Sequence, residues 1–220
     1  LHRLALKTKD IEIVAINSRA GADSHAMLLK YDSIYGKCDA NIQVDDQNLR
    51  INGKKVYVYQ IQNPAEINWK KHDVDVVIES TGKFTTLEEA QDHLKAGAKG
   101  VLITAPCADL RIPNVVMGVN QGACSVASAC KVVSNASCTT NCLAPLLKVL
   151  NDEFGIDSAL VSTLHAFTYT QNLLDNSNPE DFRRARATTM SIIPTSTGAM
   201  QAISRIIPEL EGKVHGMAFR

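Results

Sequence analysis

Through the first half of this chain, apolar runs of strand length alternate with segments of helical spacing. That alternation restricts the fold to an α/β class built around a largely parallel sheet with helical crossovers. Residues 11–16 (IEIVAI) read as a strand ending at Asn17-Ser18. A hairpin is expected at Asn52-Gly53, the strongest two-residue turn signal, because Leu49, Ile51, Val56 and Val58 alternate on either side of it. Residues 74–78 (VDVVI) form a nearly continuous apolar strand, and Thr86-x-x-Glu89 opens a helix whose Leu87, Ala90 and Leu94 share a face before Gly97 stops it. Further strands are expected at 101–103, 115–119 and 131–134.

From Cys138 the pattern changes. Leu143, Leu146, Leu147, Leu150 and Phe154 recur at helical spacing up to Gly155, with Pro145 in the interior, where it removes a hydrogen bond. Residues 159–167 then read as a strand, followed by a polar loop that carries arginines through Arg186. The chain opens at Leu1 within a helical pattern of Leu1, Leu4 and Leu6 and closes at Arg220 directly after GMAF, so it is expected to be a fragment.

Charge narrows the class of partner. Lys plus Arg and Asp plus Glu each number 23 in 220 residues, so no net field favours nucleic acid or an anionic membrane, and any anion recognition must be local. No run approaches the roughly 18 apolar residues of a membrane helix, and the first residues lack a signal-peptide pattern. A cytoplasmic protein is expected. Six cysteines, Cys38, Cys107, Cys124, Cys130, Cys138 and Cys142, are too few for a disulfide scaffold and show no Cys-x-x-Cys or His-x-x-His pairing, so reduced thiols and no metal site are expected.

One thiol is placed for chemistry. Ser137-Cys138-Thr139-Thr140-Asn141-Cys142 lies where an extended segment turns into a helix, and the partial positive charge of a helix start favours thiolate. The plainer reading is a small residue buried at a strand–helix junction. His165, in the apolar strand TLHAFTYT, is by itself a satisfied core histidine; paired with such a thiol, it becomes a general base. Arg183-Arg184-Ala185-Arg186 is either a solvated surface with ion pairs or an anion site. Thr195-Ser196-Thr197-Gly198, ahead of the amphipathic AMQAISRII, is either an N-cap or a phosphate pocket.

Taken together, Ser134 through Cys142, His165, Arg183 to Arg186, Thr197-Gly198 and Gly216-Met217-Ala218-Phe219-Arg220 resemble the phosphorylating glyceraldehyde-3-phosphate dehydrogenases, bacterial type. The likeness extends upstream through LKYDS at 29–33, STGKF at 80–84, Thr104-Ala105-Pro106 and Gly118-Val119-Asn120. It implies a Rossmann-type dinucleotide-binding domain over 1–137, without its first strand and glycine-rich loop, and an α+β catalytic domain over 138–220 without its C-terminal part. It further implies Cys138 as nucleophile and His165 as its base. Ser137, Thr139, Thr197, Gly198 and Arg220 would hold inorganic phosphate, and Thr168, Arg184 and Arg220 the substrate's own phosphate. Thr81, Gly82, Phe84, Thr104 and Ala105 would line the cofactor.

In dinucleotide folds the second strand usually ends in a carboxylate that repels the extra phosphate of NADP. Here residues 11–17 run into Ser18-Arg19, and Asn17, Ser18 and Arg19 with Ser177 are read as cofactor residues that favour NADP over NAD. Ser177 follows Asn176 where NAD-specific relatives tend to have a bulky apolar residue and proline. Tyr169 stands where many bacterial relatives have a cofactor-facing asparagine. The resemblance also implies a homotetramer. The competing readings are erythrose-4-phosphate dehydrogenase, a cysteine hydrolase or acyltransferase without a dinucleotide, and a non-catalytic fragment.

Overall fold

The computed structural model describes residues 1–123 and 131–220, so Cys124 and Cys130 lie outside the described residues. It divides into two compact units, Leu1–Val77 with Glu88–Val101, and Ile78–Leu87 with Leu102–Arg220.

The first unit begins with a short helix α1 (His2–Ala5), strand β1 (Ala15–Asn17) and helix α2 (Ala22–Lys30). A small antiparallel pair follows, β2 (Tyr31–Asp32) with β3 (Gly36–Lys37), then the meander β4 (Ile42–Asp45), β5 (Asn48–Ile51) and β6 (Lys54–Tyr59). The sheet order is β1-β6-β5-β4, with β1 parallel to β6 and the meander strands antiparallel. Asn52 and Gly53 adopt φ of 48° and 83°, the left-handed pair that a tight hairpin turn requires. Leu49, Ile51, Val56 and Ala22 are buried together, each large side chain contributing about 2 kcal/mol of burial. Strand β7 (Val76–Glu79), helix α3 (Leu87–Lys95) and strand β8 (Gly100–Ile103) follow, and Gly97 after α3 takes φ 103°. Ile67, Trp69, Val74, Val77, Ala96 and Ala98 close a second core, where the Trp69 indole N–H donates to His93 Nδ1 at 3.1 Å.

In the second unit, strand β9 (Val132–Ser134) leads into helix α4 (Cys138–Phe154), which runs through Pro145 and stops at Gly155 with φ 74°. Strands β7, β8 and β9 make a three-stranded sheet in that order. Strand β10 (Ala159–Leu164), the short strand β11 (Pro194–Thr195), helix α5 (Ala199–Ile206) and strand β12 (Val214–Phe219) complete the unit. Central β12 pairs in parallel with β10, Leu164 opposite Phe219, and antiparallel with β11, Thr195 opposite Ala218. Leu143, Ala144 and Leu147 of α4 share a core with Ile203 and Ile206 of α5 and with Val214.

Three expectations need correction. The strand expected over 11–16 begins only at Ala15. The run 115–119 is not a strand: Asn114 makes a single parallel bridge to Ser134, after which Gly118 turns at φ 82°. The Asn120 amide closes that turn, accepting from Val116 N–H at 2.8 Å and donating to the Asn114 carbonyl at 2.9 Å. Apolar content was a poor guide there, because a side-chain amide competes for the backbone. Strand β10 ends at Leu164, so His165 stands just past the strand. In α1 only Ala5 is buried, while Leu1 and Leu4 are 65% and 67% exposed.

Candidate active site

The turn from β9 into α4 is held by one hydroxyl. Ser134 is fully buried, and its Oγ donates to the Ala105 carbonyl at 2.6 Å, meets Asn114 Oδ1 at 2.9 Å and accepts from Ala136 N–H at 3.0 Å. Ala136, buried in the core, has φ 55°, a left-handed conformation that costs a residue with a Cβ about 1 to 2 kcal/mol. Ser137 is the N-cap: its Oγ accepts from Thr140 N–H at 3.0 Å and meets Thr140 Oγ1 at 2.6 Å. Asn141 donates back to the carbonyls of Asn135 and Ser137 at 2.7 and 2.9 Å. This backbone puts Cys138 at the first position of a 17-residue helix, exposed, where unsatisfied N–H groups favour an anion.

His165 is delivered by the other sheet. Its N–H donates to the Phe219 carbonyl at 2.8 Å, which extends the β10–β12 pairing by one residue. Nδ1 lies 2.7 Å from the Ala166 carbonyl and Nε2 lies 3.3 Å from Cys138 Sγ. A carbonyl only accepts, so the proton of the neutral ring is assigned to Nδ1, leaving Nε2 to accept from the thiol. The Cys138 thiol is held below its ordinary pKa, first by this hydrogen bond with His165 and then by contacts with Thr139, against an opposing effect of burial. By contrast, burial pushes the Cys107 thiol up.

The arginine cluster divides. Arg183 forms a two-pronged pair with Asp181 at 3.0 Å, and Arg186 pairs with Asp175 at 3.0 Å. Arg184 approaches the Asp181 carboxylate at 3.6 Å and also donates to the buried Thr195 hydroxyl at 2.7 and 3.1 Å and reaches Ser196 Oγ at 3.4 Å. Arg220, pinned through its backbone to Ile193, donates from Nη1 to Thr168 Oγ1 at 2.5 Å. Gly198 is the N-cap of α5, and Thr197 Oγ1 accepts from Ala199 N–H at 3.2 Å. The structure thus pairs Cys138 with His165, Arg220 with Thr168 and Arg184 with Thr195.

The residues read as cofactor-binding fall in both units. In the first, the Asn17 side chain is spent on a reciprocal pair with the Ile61 backbone at 2.9 Å in each direction. Ser18 Oγ accepts from Ala20 N–H at 3.1 Å, and the Arg19 carbonyl accepts from Gln60. The Arg19 side chain is exposed and enters no ion pair or hydrogen bond among the described residues. In the second unit, Thr81 N–H donates to the Glu79 carboxylate at 2.6 Å, Gly82 turns at φ 71°, and Thr104 is tied to the Glu79 carbonyl at 2.9 Å. Phe84 is half-buried, Ala105 accepts from Ser134, and Ser177 and Tyr169 are exposed. No trio of His, Cys, Asp or Glu among the described residues is placed to hold a metal ion.

Residues 1–87 match the family model for the NAD binding domain of glyceraldehyde 3-phosphate dehydrogenase, and residues 137–220 match the model for its C-terminal domain. Over 218 residues the chain is 50% identical to a glyceraldehyde-3-phosphate dehydrogenase of Priestia megaterium, covering 99% of this chain and 64% of that one. A glyceraldehyde-3-phosphate dehydrogenase of Klebsiella pneumoniae is 49% identical over 99% of this chain and 71% of its own length. The chain belongs to the glyceraldehyde-3-phosphate dehydrogenase family. A yeast member, glyceraldehyde-3-phosphate dehydrogenase 1 of Kluyveromyces marxianus, is 48% identical over 99% of this chain and 65% of that one. The chain spans just under two thirds of the length of the first of these relatives.

As a glyceraldehyde-3-phosphate dehydrogenase family chain, it has a Rossmann-type NAD-binding region followed by an α+β region. The sequence pointed to Cys138, His165 and Arg184 directly, whereas Ser134 stood there only within the family motif and Thr195 only within the hydroxyl cluster, and their parts in holding the nucleophile's turn and Arg184 come from the fold. The part of Ser134 had no local signal, since its three partners are remote in sequence or set by a left-handed residue.

Proposed function

We propose that the protein carrying this chain oxidises and phosphorylates D-glyceraldehyde 3-phosphate to 1,3-bisphosphoglycerate, with NADP or NAD, in glycolysis or gluconeogenesis. The observation that carries this reading is the 3.3 Å approach of His165 Nε2 to an exposed thiol at a helix start. Cys138 as thiolate attacks the aldehyde carbon, and His165 takes the hydroxyl proton as the thiohemiacetal is oxidised to a thioester. The nicotinamide, when bound, supplies the hydride acceptor. Inorganic phosphate then attacks the thioester, the Cys138 thiolate leaves, and the oxidation energy is kept in an acyl phosphate.

Thr168, Arg184 and Arg220 are assigned to the substrate phosphate, and Ser137, Thr139, Thr197, Gly198 and Arg220 to inorganic phosphate. Charge-assisted arginine contacts suit both anions. The uncommitted Arg19 guanidinium, beside Ser18 and with no carboxylate at the strand end, fits the 2′-phosphate of NADP; Asn17, Thr81, Gly82, Phe84, Thr104, Ala105 and Ser177 complete the assignment. We assign 1–137 to the dinucleotide-binding domain and 138–220 to the catalytic domain. The assembly proposed is a cytoplasmic homotetramer; among the described residues, no helix is long and apolar enough to cross a membrane.

The test uses the full-length protein. Cofactor reduction that depends on inorganic phosphate and yields an acyl phosphate supports the phosphorylating reaction. Phosphate-independent oxidation of erythrose 4-phosphate to the acid would replace it with the four-carbon activity.

A further inference from the structure

Beyond the residues already assigned, one buried amide is bonded to the Thr168 end of the Thr168–Arg220 pair. Gln171 is 7% exposed, unusual for a glutamine, and both ends of its side chain are committed. Oε1 accepts from Thr168 N–H at 3.1 Å, and Nε2 donates to Thr188 Oγ1 at 3.2 Å. The backbone repeats the tie, since Gln171 N–H donates to the Thr168 carbonyl at 2.9 Å and Thr188 N–H donates to the Asn172 carbonyl at 2.9 Å. Thr188 is itself 8% exposed. The turn at 168–171 is therefore anchored at two levels to a segment 17 positions away.

The consequence reaches Arg220. Its guanidinium makes one side-chain hydrogen bond among the described residues, to Thr168 Oγ1, and its other N–H groups remain available to an anion. Thr168 fixes that guanidinium, and Gln171 fixes Thr168. An arginine fork binds phosphate well only when it is held in one orientation, so a displacement of the turn loses contacts to the anion. We infer that Gln171, with Thr188 behind it, is a positioning residue that sets the Thr168–Arg220 pair for the phosphate of the substrate. It does not touch the reacting atoms.

This inference rests on the proposed phosphate role of Thr168 and Arg220, and the experiment separates the two. In the full-length protein, kcat/KM is measured for D-glyceraldehyde 3-phosphate and for unphosphorylated D-glyceraldehyde. Gln171→Leu is expected to lower kcat/KM for the phosphorylated aldehyde by about tenfold, mainly through KM, the scale of losing hydrogen bonds to a charged group. The unphosphorylated aldehyde should change less than about twofold, because it gains nothing from the anion pocket. Thr188→Val, which removes only the outer bond, should move the same ratio by about threefold and serves if the leucine variant does not fold. Equal losses for both substrates, or no loss for either, overturn the positioning role. Should the wild-type protein oxidise neither aldehyde, the proposed reaction fails, and titration with glycerol 3-phosphate against glycerol still decides the inference. Selective weakening of glycerol 3-phosphate in Gln171→Leu supports it, and equal binding by wild type and variant, or no binding by either, overturns it.

Discussion

The Sγ of Cys138 meets Nε2 of His165 at 3.3 Å across 27 positions of sequence, while the other ring nitrogen is spent on the Ala166 carbonyl. The ring can therefore take the thiol proton at Nε2 and then donate to the thiolate, and the thiol is held below its ordinary pKa first by that hydrogen bond. Removing the imidazole must raise it. His165→Asn is expected to move the midpoint of the Cys138 alkylation–pH curve upward and to slow alkylation at neutral pH, because a higher midpoint leaves less thiolate there. Iodoacetamide rates read from the mass of the Cys138 peptide check this, and an unmoved midpoint contradicts it.

Ala136 carries the strain that precedes the nucleophile. Ala136→Gly relieves about 1 kcal/mol of left-handed strain and loses one buried methyl worth about 0.8 kcal/mol, so stability should barely change. Ala136→Val adds a branched side chain at φ 55° in a filled core and should cost about 2 kcal/mol or more. Denaturant midpoints of the two variants measure the difference; equal midpoints would show that the turn is not under strain.

Gly216 lies opposite Val161 in the parallel pair of β12 and β10. A Cβ there would stand 2.5 Å from the Val161 carbonyl oxygen and 3.1 Å from Val161 Cβ, so the strands must part to admit alanine. Gly216→Ala should lower stability by about 2 kcal/mol. Because β12 also holds His165 through Phe219, it should also slow Cys138 alkylation. A thermal midpoint within a degree of wild type contradicts the close approach.

Cofactor choice is testable at Ser18-Arg19, where the uncommitted Arg19 guanidinium is the proposed partner of a 2′-phosphate. Ser18→Asp with Arg19→Leu restores a carboxylate and removes the cation, and the ratio of kcat/KM for NADP over NAD should fall at least about tenfold. An unchanged ratio removes the 2′-phosphate assignment.

What could be read in the sequence was what local chemistry decides. Asn52-Gly53 demanded its turn, Gly97 and Gly155 stopped their helices, and Cys138 stood at a helix start because Ser137 could cap it. Residues 115–119 misled, since the competing Asn120 amide lies beyond the apolar run. Three arginines within four positions looked alike until their partners separated them: Asp181 takes Arg183 in a two-pronged pair and Asp175 takes Arg186, while Arg184, 3.6 Å from Asp181, is the one that also donates to Thr195, brought in by β11. The approach of His165 to Cys138 was likewise unreadable, because it depends on the parallel register of β10 against β12.

In the proposed reaction a single sulfur carries the thioester, and phosphate discharges it. The direct measurement mixes full-length protein with D-glyceraldehyde 3-phosphate and oxidised cofactor in phosphate-free buffer and weighs the protein and its peptides. An acyl adduct on Cys138, formed with about one equivalent of cofactor reduction and released as acyl phosphate when inorganic phosphate is added, is the predicted result. Cofactor reduction that continues unchanged without phosphate, or an adduct on any residue other than Cys138, would contradict it.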